Sequence, residues 1–138
     1  MSEPAAPPKP LPSMEDLNGE FHRHCAKGEL RFQRCAECGQ WRHPPRTRCA
    51  GCGSDRASWE PVSGRGRIYS WTVTHQPMHP AFAAEVPYAT VVTELDEGPR
   101  LVSGTRELPL DTLRLDLPVE VVLEEAAEGI SLPYVRPV

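Results

Sequence analysis

Four of the five cysteines stand where a metal would need them. Cys35 and Cys38 form one C-x2-C pair, ten residues follow, and Cys49 and Cys52 form a second. Two residues between cysteines let both thiolates point inward from one tight turn, with backbone N–H groups aimed at the sulfurs. Gly39 and Gly53 follow the two pairs and relieve the backbone at those turns. Together the pairs complete a tetrahedral four-sulfur shell, the preference of Zn2+, with bonds of ~2.3 Å. Every position of that shell is a protein ligand, so the expected ion is structural and has no site for water or substrate. A rubredoxin-like iron site uses the same ligands, and a redox dithiol is the other alternative. Structural zinc supplies roughly 10–16 kcal/mol in finger peptides, against a total of ~5–15 for an ordinary domain. Residues 29–58 hold few core-forming side chains and are expected to fold only around the metal.

The remaining reactive groups form no recognisable constellation. Cys25 could be a nucleophile, but it continues the apolar stripe of Leu17 and Phe21 and reads as a packed side chain. His22, His24, His43, His75 and His79 fit no Ser/His/Asp order, and the carboxylates suggest no acid/base pair. Gly64-Arg65-Gly66 is too short for a phosphate loop and reads as a turn into the following strand. Catalysis by this chain alone is not expected.

The elements that position these residues follow from pattern. Residues 1–12 are proline-rich and read as a disordered or extended tail. Residues 13–28 read as a short helix with Ser13 as N-cap, Leu17, Phe21 and Cys25 on one face, and an end near Gly28. Residues 29–60 form the cysteine ribbon, led in by a short strand carrying Leu30 and Phe32. Residues 61–138 alternate as strands over 67–75, 88–95, 100–106, 119–124 and 132–136. Tyr69 and Trp71 are assigned to the inward face of the first. Asp96-Glu97-Gly98-Pro99 makes the second and third a hairpin. Five short strands suit a closed OB-type barrel better than an open sheet with unpaired edges. The expected fold is mainly β: helix, rubredoxin-like ribbon and five-stranded OB barrel.

Composition is that of an ordinary globular chain, 39% hydrophobic and 25% charged. No apolar run approaches the ~20 residues of a membrane-spanning helix, and the first twelve residues lack the apolar segment of a secretion signal. A cytoplasmic, reducing location is therefore expected, which favours metal over disulfides for the cysteine pairs. The net charge of −4 divides into −2 over residues 1–30, +5 over 31–67 and −7 over 68–138. A basic ribbon beside an acidic barrel suggests an anionic ligand or partner near the metal.

Several stretches together resemble one family. They are GELRFQRCAECGQWRHPPRTRCAGCGS, WEPVSGRGRIYSWTVTH, VPYATVVTELDEGPRLVSG, LRLDLPVEVVLE and LPYVRP, in that order over residues 14–138. The resemblance is to the bacterial and archaeal family that joins an N-terminal helix and rubredoxin-like zinc ribbon to an OB-fold. The family was formerly a domain of unknown function and is associated with acyl-CoA metabolism. It implies a non-catalytic subunit that binds and supports a thiolase-fold enzyme, of thiolase or steroid side-chain aldolase type, acting on acyl-CoA thioesters. It carries the metal-ligand role to Cys35, Cys38, Cys49 and Cys52. It also implies a lipid-transfer-protein-like (thiolase-like) enzyme subunit as partner and acyl-CoA as ligand. For the CoA phosphates the candidates are Arg42, Arg46, Arg48, Arg65 and Arg67, since guanidinium forks suit phosphate. For the partner contact they are Met78, His79 and Phe82 in the loop over 76–87. Competing readings are a single-stranded nucleic-acid-binding module, which the acidic barrel opposes, and an independent acyl-CoA hydrolase or lyase.

Overall fold

Residues 8–138 are described by the computed structural model; the first seven residues of the expected tail lie outside them. Helix α1 spans Leu17–Ala26 and buries Phe21 and Cys25. Its cap is not Ser13 but Asp16, whose side chain accepts from the N–H groups of Asn18 and Gly19 at 3.0 and 3.4 Å. The chain before the cap folds back so tightly that a Cβ on Gly19 would lie 2.3 Å from the Met14 carbonyl oxygen. That return leaves no room for a helical turn over 13–16.

Strands β1 (Arg31–Cys35), β2 (Trp41–Arg42) and β3 (Ala57–Pro61) form a three-stranded antiparallel sheet in the order β2-β1-β3. Strand β3 was not expected, because Ser58-Trp59-Glu60 shows no apolar alternation. Pairing of Cys35 with Ala57 through Arg31 with Pro61 creates it.

Strands β4 (Arg65–Thr74), β5 (Tyr88–Leu95), β6 (Arg100–Thr105), β7 (Pro118–Ala127) and β8 (Ile130–Pro137) close into a barrel in the order β4-β5-β6-β8-β7. All pairs are antiparallel except the short β6–β8 contact. Closure leaves no exposed edge, as expected. A bulge between Ile68 and Ser70 shifts the phase of β4. Ile68 is fully buried, Tyr69 is 47% exposed, and Trp71 packs against the barrel core. Tyr69 therefore does not face inward, and the Arg100 guanidinium lies 3.8 Å from its ring centre.

Two apolar clusters hold the chain. One lies wholly in the barrel and its connections, around Ile68, Val91, Val119 and Val135. The other joins Phe21 and Cys25 of α1, Leu30, Phe32 of β1, and Leu95 and Leu101 of the barrel. Helix, ribbon and barrel thus share a core. Among the described residues, no helix is long and apolar enough to cross a membrane.

Candidate metal centre

The two knuckles are built alike. The N–H of Cys35 donates to the Gln40 carbonyl at 2.8 Å, and that of Cys49 donates to Ser54 at 2.9 Å. In return Gly39 and Gly53 donate to the carbonyls of Cys35 and Cys49 at 3.1 and 2.9 Å. Both glycines are left-handed, with φ of 76° and 77°, which is why glycine follows each pair.

These turns bring all four sulfurs within 4.8 Å of one another. Cys35 and Cys52 are 3.6 Å apart, and Cys38 and Cys49 3.5 Å. Such separations exceed a disulfide bond of ~2.05 Å. They are close to the edge of about 3.8 Å that a tetrahedron of ~2.3 Å bonds requires. Electrostatics points the same way. N–H groups of Cys38 and Glu37 pull the Cys35 thiol down to about 5, and those of Cys52 and Gly51 lower Cys49. Cys52 also receives a lowering N–H, from Ser54, but the neighbouring sulfur of Cys35 and burial outweigh it and drive the thiol up to about 12. Cys38, lowered by the Gln40 N–H, is likewise raised overall, chiefly by Cys49. The backbone thus favours thiolates that the sulfurs deny one another. A dication among them removes the conflict, so the donor set fits zinc.

The candidate arginines separate. Arg42 is only 4% exposed, and its Nη2 donates to the carbonyls of Ser54 and Arg56 at 2.8 and 3.1 Å. It braces the second knuckle from inside, so it is withdrawn from the anion-binding set. Arg46 and Arg48 are exposed on the loop between the knuckles, with Arg48 donating to the Gly53 carbonyl at 3.1 Å. Arg65 and Arg67 are exposed on β4, and Arg67 reaches Glu94 at 3.2 Å and Asp116 at 3.5 Å. The loop over 76–87 contains a short 3-10 turn, Pro80–Phe82, capped by His79. Met78 projects from it, 93% exposed. Phe82 leans on Tyr88 with ring centres 5.8 Å apart.

Cys25 is 1% exposed, and burial pushes its thiol up to about 11. Two of the histidines pack against Phe21, with ring centres 5.1 Å away for His22 and 4.9 Å for His43. His22 is 8% exposed, with Nδ1 3.3 Å from the Ser131 carbonyl. His43 meets the Phe32 ring at 4.5 Å and has no partner for its buried Nδ1. Burial, then the nearby His22, holds His43 down at about 4. The sequence also hid Arg106, whose guanidinium binds Glu124 at 2.7 and 2.8 Å and lies 3.6 Å from the Tyr134 ring. Its partners lie 18 and 28 positions away, beyond any local pattern.

A helix, a four-cysteine ribbon and a five-stranded barrel sharing one core define a zinc-ribbon/OB-fold protein. Residues 23–58 match the ChsH2 rubredoxin-like zinc ribbon domain, and residues 59–124 the ChsH2 C-terminal OB-fold domain. The chain belongs to this ChsH2-type family, which includes the DUF35 scaffold proteins. It is similar to a solved structure described as "Ltp2-ChsH2(DUF35) aldolase", with 36% identity and a TM-score of 0.81 over 91% of this chain and 98% of that one. A DUF35 domain-containing scaffold protein of Methanothermobacter thermautotrophicus is 31% identical over 106 residues, 73% of this chain and 79% of that protein. A probable enoyl-CoA hydratase alpha subunit of Thermomonospora curvata is 37% identical over 131 residues. That match takes in 94% of this chain but spans only 40% of the relative.

Proposed function

We propose that this chain is a non-catalytic cytoplasmic subunit that binds and supports a thiolase-fold enzyme acting on acyl-CoA thioesters. The observation that carries this reading is the likeness, at 36% identity, to nearly the whole of a chain in the Ltp2-ChsH2 aldolase structure. The chemistry of the chain agrees. Its four ribbon cysteines would fill all four positions of a tetrahedral ion, its fifth cysteine is buried, and so is His22.

In this reading Met78 is the anchor for the enzyme, since a large apolar side chain held in water gains most from being covered. His79 and Phe82 set the shape of the loop beneath it. Arg46, Arg48, Arg65 and Arg67 are the cations offered to the CoA phosphates. A hydratase is the second candidate enzyme, favoured by the name of the Thermomonospora relative.

The test is co-expression with a thiolase-like enzyme of the same organism, tagged on the enzyme. The expected result is one complex by native mass, higher enzyme activity with the chain than without it, and loss of both with Met78→Glu. Co-purification of a hydratase instead would shift the reading to the second candidate. A chain that stays monomeric and leaves both enzymes' activity unchanged contradicts both.

A further inference from the structure

Residues 8–12 read Pro-Lys-Pro-Leu-Pro. Proline fixes its own φ near −65° and keeps the preceding residue extended, so this stretch is set in advance toward a polyproline conformation. It lies along the barrel as a strap. The Lys9 ammonium is 2.8 Å from Glu85 and 5.4 Å from the centre of the Phe82 ring. Pro8 to Leu11 form one wall of a cavity of about 530 Å3, and Phe82, Leu132 and Tyr134 contribute to the facing wall. A second hollow of about 510 Å3 continues under Lys9 between Phe82, Tyr88 and Tyr134.

The groove and its strap are unequally built. The groove belongs to the barrel and is braced by the two-bond Arg106–Glu124 pair, the stacking of Arg106 on Tyr134, and the contact of Phe82 with Tyr88. Among the described residues the strap is tied by one exposed ion pair and one cation–π contact, its Leu11 is 49% exposed, and it leaves the space beneath it open. A formed receptor with a loosely fitting occupant is open to exchange. Its aromatic walls suit prolyl rings, and Glu85, Glu124 and Glu125 supply charge complementary to a lysine.

We propose that this groove recognises lysine-bearing proline-rich segments of a partner protein, and that residues 8–12 hold it in cis until such a segment displaces them. The proposal does not depend on which enzyme the chain supports.

The test is fluorescence anisotropy of a labelled Ala-Pro-Pro-Lys-Pro-Leu-Pro peptide with the full-length, zinc-loaded chain. Lys9→Glu loosens the strap and is expected to tighten peptide binding about tenfold over the unaltered chain, the combined worth of an ion pair and a cation–π contact. Adding Glu85→Gln, an exposed change that leaves the core intact and forms no new ion pair with position 9, is expected to remove most of that gain. A peptide with glycine for every proline keeps the lysine but not the preset extension, and is expected not to bind. The proposal is overturned if Lys9→Glu leaves affinity unchanged, if adding Glu85→Gln has no effect, if the glycine peptide binds equally well, or if no chain binds the proline peptide.

Discussion

Between residues 36 and 58 the buried side chains are Arg42, Cys49 and Ser54. The barrel, by contrast, has Ile68, Val91, Val119 and Val135 with no exposed surface at all. One region is assembled by ligands and hydrogen bonds, the other by apolar burial. The ribbon lacks the hydrophobic area to pay for its own ordering. Between the two lies the Phe21–Phe32–Leu101 cluster, through which the ribbon borrows part of the barrel's stability. Order in the ribbon should therefore follow the metal, order in the barrel should follow packing, and changes in the shared cluster should register in both.

Four changes would break or sharpen that contrast. The largest effect is expected from Cys49→Ser, which removes a ligand that the Cys52 and Gly51 N–H groups favour as thiolate. Elemental analysis should find the metal lost, with ordered ribbon lost with it, against a binding term of roughly 10 kcal/mol or more. Retention of one metal per chain would contradict this. Next comes Phe32→Ala in the shared cluster, where a fully buried ring contacts both Phe21 and His43. Denaturant unfolding should show a loss of about 3–5 kcal/mol, and a surface-like loss below about 1 would mean the ribbon does not lean on the barrel.

The third concerns pH. His43 is held near 4 in the folded chain, below the ordinary ~6.5 of the unfolded one. The folded state resists its proton, so the contribution is fully present above pH ~6.5 and lost as pH falls toward about 4. At 1.36 kcal/mol per pH unit the loss approaches about 3 kcal/mol by pH 4. Comparison with His43→Phe, which keeps the same cysteines, isolates this term: the variant's stability should fall less steeply between pH 7 and 5. Parallel curves would contradict it. The smallest is Arg42→Leu, which leaves the carbonyls of Ser54 and Arg56 without their donor and should cost about 1–3 kcal/mol. Metal affinity is the readout there, because the defect lies against the second knuckle.

The same contrast explains what could be read beforehand. The metal cluster was legible because ligand spacing is local, and the five barrel strands because alternation is local. The Leu95–Arg100 turn was marked by its glycine and proline. What escaped reading depends on distant chain. Strand β3 exists because Arg31–Cys35 pairs with it, and Tyr69 points outward because of a bulge against β5. Ser13 fails as a cap because Met14 packs on Gly19. Arg42 looks like any other arginine of a basic ribbon until carbonyls more than ten positions away close around it.

The most direct measurement is residue-resolved hydrogen exchange before and after a chelator removes the metal. The expected result is loss of protection at the ribbon amides of Cys35, Gly39, Cys49 and Gly53, which close the knuckles, with slow exchange retained at Ile68, Val91 and Val119. Protection that persists in the ribbon without metal, or that vanishes equally from the barrel, would contradict the division of labour between ion and core.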